Sequence, residues 1–506
     1  MRVLMKRRVR HAIIALLVLC IIAGCSAGNA VSVNLPAETT KEMDQGSDIR
    51  IDAESADPDR DENAELQELR YLMNLNLRYI LHDWWNGDKI YVFDNGSSYY
   101  NHEELTAKQQ REISRSTKSF QNWKDERYLY ICMPEIRGYD ENTIRPVSHA
   151  VYCIAAALYL GYYDEAITGI PAADARQMCI KLISSAAAIY TENKKNGWGE
   201  VWQSPLWAEN IGFAAWLLWE DIPERDQKNV TGMILREAAY VTDHYDIPYY
   251  RDRDGNVIFE GDTKGEEIAW HAKILALAAV MYPEHERHSD WEEKLDRMLI
   301  ASTATQEDAV DSFGFLEGSN INSDGTVVNH HKIHVDYMTT ICEEMAECIV
   351  VYGLAGRDIP QTAVFNMDLI YSALVNADLG DYNSQMAGQH FYMRDAEGNP
   401  TGEVTMPEAN DWGMHWYANC YLTDVTADTM GLDKDIPEQY KASVWRRLHL
   451  ERVKEQICRE NQEGVITGQF FQDGENDFVS GELFQMHNLT EAYIISAVCA
   501  TCWPRF

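Results

Sequence analysis

The chain has 506 residues, of which 44 are basic and 80 acidic, giving a formal net charge of −36. A field of that sign repels phosphate backbones and argues against nucleic-acid binding; it also opposes polyanions unless a local cationic cleft offsets it, since salt screens distant charge over about 10 Å. Hydrophobic residues at 46% and aromatics at 11%, spread along nearly all of the chain, predict a large, well-packed body.

In chain order, the first segment reads as a targeting signal. Arg2, Lys6, Arg7, Arg8 and Arg10 precede an apolar run over 12–23 that is too short for an ordinary transmembrane helix. Ile22-Ala23-Gly24-Cys25 is similar to a bacterial lipobox, which implies cleavage before Cys25 and lipidation of that cysteine. Residues 1–25 are therefore expected to be a lipoprotein signal peptide, tethering the rest to the cell surface or the periplasmic side of a membrane. Residues 26–61 are rich in Ser, Ala, Asp and Glu and poor in aromatics, the composition of a disordered acidic linker. Residues 62–506 form the expected single folded domain.

Within that domain, apolar residues recur at three- and four-residue steps over 66–81, 147–160, 172–189, 205–219, 226–241, 265–280, 289–301, 337–352, 361–375 and 482–499. More weakly patterned helices are expected between them. Strand-like alternation is confined to 390–393 and 402–406, around the turn residues of 395–400, predicting a small β-hairpin excursion within 388–407. The fold class is all-α. No fixed-period repeat supports a solenoid, so the expected architecture is an (α/α) toroid of about six to seven helix pairs, with its loops gathered into a cleft. The eleven cysteines, two of them in the leader, lack framework spacing and read as core thiols; Cys499-Ala-Thr-Cys502 looks like a CxxC, for which a local disulfide or metal or redox chemistry stay open as alternatives.

Four segments, 84–88, 196–207, 324–337 and 410–416, interleave aromatics with amides, carboxylates and glycines. Sugar sites use that pairing, because a sugar's C–H face stacks on an aromatic plane while its hydroxyls bond to fixed polar groups. Trp198, Trp202, Gln203, Trp207, Lys332, His334, Asn410 and Trp412 are the candidate substrate-binding residues. The 324–337 segment is the most concentrated, with Asn329, His330, His331, His334 and Tyr337 following the turn formers Asp324-Gly325. Imidazole titrates near about 6.5 and phenol near about 10, which suits both to proton transfer.

Asp324-Gly325-Thr326, then His330, then Tyr337, resembles the catalytic segment of the hyaluronate and chondroitin lyases and related toroidal polysaccharide lyases. Trp198-Gly199-Glu200-Val201-Trp202 with Asn210 is more loosely similar to their Trp-rich, asparagine-bearing segment. The spacing from His330 to Tyr337 is shorter than in those families, and His331 and His334 are additional. The resemblance implies a helical toroid that cleaves a uronic-acid glycan by β-elimination. In that scheme His330 or Tyr337 takes the C5 proton, Tyr337 protonates the leaving oxygen, and Asn210 or Asn329 stabilises the enolate-like carboxylate.

That scheme needs no cofactor and no metal. His330, His331, His334 and Asp336 could offer metal ligands, but a helix would place only His330 and His334 on one face. The expected partners are an acidic polysaccharide and, through Cys25, a membrane. Two other readings stay open. A glycoside hydrolase would draw on Glu209, Asp262, Glu266, Glu267 or Asp411, although acidic residues opening the 265–280 helix also serve as caps. A non-catalytic glycan binder would keep the aromatics and need none of the histidines.

Overall fold

The computed structural model describes residues 64–84, 124, 128, 144–193, 197–408, 410, 416–472, 475 and 481–499. The leader with Cys25, the linker, residues 85–88, Asp411 and Trp412 lie outside the described residues. The protein is mostly helical, 62% helix against 6% strand. None of the helices is long and apolar enough to cross a membrane, among the described residues.

The long helices are α1 Ala64–Tyr79, α2 Ile144–Tyr159, α3 Ala172–Ala188, α4 Ser204–Leu217, α5 Glu224–His244 and α6 Gly265–Met281. They continue with α7 His288–Ser302, α8 Val335–Leu354, α9 Met367–Asn376, α10 Tyr417–Met430, α11 Ala442–Ile457 and α12 Gly481–Ala497. Local chemistry sets several ends. Pro171 and Pro223 immediately precede α3 and α5, and Pro205 sits in the first turn of α4, where no N–H is needed. Gly431, in the left-handed region at φ 66°, stops α10.

The even-numbered helices differ in kind from the odd ones. Every residue of α8 except Tyr337 is buried, and α2, α4, α6, α10 and α12 are buried over most of their length. In contrast, α5 and α7 bury one stripe and expose the other. Contacts explain the difference: α2 packs on α4, α4 on α6, α6 on α8, α8 on α10, α10 on α12, and α12 back on α2. The odd helices pack outside this cyclic order, α3 on α2, α7 on α6, α9 between α8 and α10, α11 on α10, and α1 on α11 and α12.

Three short antiparallel pairs decorate the helices: β1 Arg251–Asp252 with β2 Gly318–Ser319, β3 Val328–Asn329 with β4 Lys332–Ile333, and β5 Tyr392–Arg394 with β6 Pro400–Val404. The last is the hairpin expected near 388–407, with Tyr392 opposite Val404 and Arg394 opposite Pro400. Asp395 fixes its turn by accepting from the Glu397 and Asn399 backbone amides. The cysteines at 153, 179, 342, 348, 420, 458 and 499 are free thiols, all buried except the half-buried Cys458.

Candidate active site

The 324–337 segment is not helical before Val335. Asp324 opens it by accepting from the Thr326 amide at 3.0 Å and from Thr326 Oγ1 at 2.7 Å, while Tyr382 donates to its other oxygen at 2.6 Å. Burial pushes the Asp324 carboxyl up, but these bonds outweigh it and leave the group below its ordinary value. β3 and β4 then pair Val328 with Ile333 and Asn329 with Lys332. His330 and His331 form the two-residue tip, at φ 50° and 63°.

Two successive left-handed residues make this a type I′ hairpin turn, a geometry that sequences usually fill with Asn-Gly. Two histidines there store strain, of order 1–2 kcal/mol for each non-glycine residue held in the left-handed region. The tip is held by its surroundings. The His331 amide donates to Gly261 O at 2.9 Å, the Thr263 amide to Val328 O at 2.8 Å, and the His334 amide to Val327 O at 3.0 Å.

The tip brings His330 against the first turn of α8. Tyr337 Oη lies 3.2 Å from His330 Nε2, and the two rings meet edge to face at 5.3 Å. In the tautomer that leaves Nε2 unprotonated, the phenol donates to it. Buried His334, immediately before α8, packs edge-on against both, 5.7 Å from His330 and 5.0 Å from Tyr337, with its Nδ1 4.0 Å from Asp336 Oδ2.

Beneath the tip, Asn329 Oδ1 accepts from the His330 amide at 2.8 Å. Its Nδ2 donates to Glu266 Oε1 at 3.1 Å and approaches Asp262 Oδ1 at 3.4 Å. Glu266 is buried in the first turn of α6, and burial pushes its carboxyl up to about 8. Its second oxygen has no hydrogen-bond partner. Glu266 is thus a largely protonated acid at neutral pH, set beside Asp262, which pairs with Lys264 at 2.8 Å.

The other sequence-derived candidates divide. Trp202 is 54% exposed and meets the indole of Trp270, one turn along α6 from Glu266, edge-on at 5.5 Å. Lys332 is half-exposed on β4, and half-exposed Asn410 lies in the loop before α10. Trp198 and Trp207 are in the core; the Trp198 indole donates to Ala186 O at 2.8 Å, and its ring packs on Tyr190 and Trp207. Neither can lay a face against a sugar, so both are packing residues. Gln203 is buried at φ 63° just before α4, accepting from Arg145 Nη1 at 3.4 Å. Asn210 is buried at the α2–α4 contact, where its amide donates to Ser148 Oγ at 3.2 Å.

Of the two asparagines, Asn329 is therefore the one that joins His330 and Tyr337. Sequence reasoning treated Glu266 as a cap or a hydrolase carboxylate and did not connect it with Asn329. The only available signal was its place beside Trp270 in a first turn.

Compared with known protein families, curated proteins and solved structures, the chain finds no match. The likeness to polysaccharide lyases rests on the 324–337 segment and, more loosely, on the Trp198–Asn210 stretch.

Two tests arise directly from this geometry. A Cβ on Gly261, itself at φ 70°, would overlap the His331 ring. Gly261→Ala should therefore displace the tip and lower turnover by roughly tenfold to a hundredfold, with the helical circular dichroism unchanged; wild-type turnover would show that the tip's position is immaterial. For Glu266, the folded-state pKa of about 8 lies above the ordinary 4.5, so the folded protein holds a proton that the unfolded chain has released between those values. That contribution to stability is full below the unfolded value and is lost as pH rises toward 8. Denaturation of Glu266→Gln beside wild type should show the difference moving in the variant's favour by up to about 1.4 kcal/mol per pH unit in this window. A pH-independent difference would contradict the assignment.

Proposed function

We propose that the protein is a polysaccharide lyase that cleaves a uronic-acid glycan by β-elimination. The observation that carries this reading is the Tyr337–His330 contact of 3.2 Å on a strained hairpin tip, directly above the Asn329–Glu266 pair. The cyclic contact order of the buried helices supports the (α/α) toroid expected for such an enzyme. It would be lipid-anchored through Cys25 outside the cytoplasmic membrane.

In this reading Tyr337 and His330 act as one base. Tyr337 Oη takes the C5 proton as its own proton passes to His330 Nε2. The electrons of the C5–H bond form the C4=C5 double bond, and the C4–O bond breaks. Tyr337 then gives its proton to the departing O4, and His330 returns the proton it held. The C5 proton is acidic only when the adjacent carboxylate can accept charge. In this reading protonated Glu266, buried beneath the tip and held by Asn329, adds no negative charge to oppose that carboxylate. Exposed Trp202 and Phe259 provide apolar faces near α6 for sugar rings.

One observation favours a second reading. A protonated Glu266 beside Asp262, both on Asn329 Nδ2, is also an acid and carboxylate pair of the kind a glycoside hydrolase uses. Incubation with a panel of uronic-acid polymers separates the classes. New ultraviolet absorbance from an unsaturated uronide is expected. New reducing ends without that absorbance would favour the hydrolase, and retention of polymer without cleavage would favour a binder.

A further inference from the structure

A second concentration of chemistry lies on the buried helices, away from the hairpin tip. Glu209 of α4, Glu343, Glu344 and Glu347 of α8, and Glu491 of α12 are all buried. Among the described residues, Lys273 of α6 is the buried cation that faces Glu209, Glu343 and Glu491, and Arg145 of α2 faces Glu343. Lys273 lies 3.0 Å from Glu344 Oε2. The carboxylates therefore outnumber their buried counter-charges, so they must be neutralised either by protons or by a further cation.

Three of these side chains converge. Single donor atoms of Glu343, His487 and Glu491 all lie within 4.8 Å of one another. His487 Nδ1 is 3.6 Å from Glu343 Oε1 and 3.9 Å from Glu491 Oε1. His487 and Glu491 stand one turn apart on α12, and Glu343 reaches them from α8, which packs against it. Both oxygens of Glu343 and both ring nitrogens of His487 are buried without a hydrogen-bond partner, while Glu491 reaches the Glu347 carboxyl of α8. Orphaned polar atoms in such number point to a missing ligand, since buried polar groups are otherwise paired. The imidazole is held in place by the ring of Tyr152 at 4.3 Å and that of His149 at 5.1 Å.

We propose that Glu343, His487 and Glu491 form a structural site for one divalent transition-metal ion of the zinc or manganese class, fastening α8 to α12. Metal–donor bonds of about 2.0–2.2 Å bring neighbouring ligand atoms to within about 3–4 Å of each other, close to the separations seen here. Two carboxylates with one imidazole suit zinc or manganese better than calcium, which takes oxygen ligands. The ion supplies the positive charge that Lys273 and Arg145 leave lacking. This site is independent of the lyase reading.

The test uses the purified full chain, incubated separately with Zn²⁺ and Mn²⁺, desalted and assayed for metal by mass spectrometry. Wild type should retain about one equivalent of at least one metal, with a thermal midpoint several degrees higher that a chelator reverses. Glu343→Gln, which keeps the shape and removes the charge, should retain less than about a tenth of an equivalent, and His487→Ala should do the same. If His487→Ala does not fold, wild type and Glu343→Gln decide the matter. Wild type that keeps neither metal and shows no shift would overturn the site, leaving shared protons as the neutralising device. Full retention by Glu343→Gln would overturn the ligand assignment.

Discussion

Replacing His330 by alanine, or Tyr337 by phenylalanine, is expected to lower the rate of unsaturated-uronide formation by about a thousandfold, the scale of a lost acid–base group. Each change removes one end of the 3.2 Å contact through which the C5 proton would move in the proposed reaction. If the two act as one base, as proposed, the double variant should be no slower than the worse single variant. Folding should survive, since His330 is exposed at a hairpin tip and Tyr337 is the one residue of α8 that is not buried. Thermal midpoints are expected to stay within roughly 3 °C of wild type. His331→Ala is the control: its backbone amide holds Gly261 O and survives the change, so activity should fall by no more than several-fold. A slow His331→Ala beside an active His330→Ala would reverse their roles.

The second large effect concerns stability. Lys273→Met should destabilise the protein by about 3–5 kcal/mol at pH 7, the cost of leaving a buried ion pair broken. Although burial opposes its charge, Glu344, Glu347, Glu491 and Glu209 hold Lys273 well above its ordinary value. Methionine fills the same space and leaves those carboxylates without the cation they share. The sign of the pH dependence follows from the acids. Burial holds Glu209, Glu343 and Glu491 well above the ordinary carboxylate value, so acid favours their neutral form, which needs no cation. Denaturant unfolding of the variant should therefore recover part of the loss between pH 7 and pH 5. A loss of less than about 1 kcal/mol, or one that deepens in acid, would contradict this description of the centre.

Much of the helical framework was legible because the helices that pack outside the cyclic order carry a stripe. The 226–241 and 289–301 patterns correspond to α5 and α7 within a few residues, since each buries one face and exposes the other. The 361–375 pattern held an interruption that apolar spacing could not show: a 3₁₀ turn at Gln361–Val364 precedes α9, which starts only at Met367. α10 and α11 were legible only as weakly patterned stretches. α10 is buried on all sides and carries Asn419, Thr423 and Asp424 inside, so polar residues fall where periodicity expects apolar ones. α11 is crowded with Arg446, Arg447, Arg452 and Lys454, of which Arg446, Arg452 and Lys454 pair with acids on neighbouring elements or its own turns.

The candidate site was legible as residue types and not as shape. The density of His330, His331, His334 and Tyr337 was plain, yet a histidine pair gives no sign of a type I′ tip that glycine or asparagine would normally announce. Trp198 and Trp207 looked like Trp202 in sequence, because nothing local separates an indole that fills the core from one that stands at the surface. Glu266 and Asn329 are far apart in the chain, and only the hairpin's docking on the segment before α6 brings them together.

The mass of the products tests the central claim most directly. A uronic-acid polymer of defined length, cut by the full chain, is expected to give fragments whose masses sum to that of the parent, the new non-reducing end being lighter by one water than a hydrolytic product. Fragments that together exceed the parent by one water per cut would contradict β-elimination and turn Glu266 and Asp262 into the acid and base of a hydrolase.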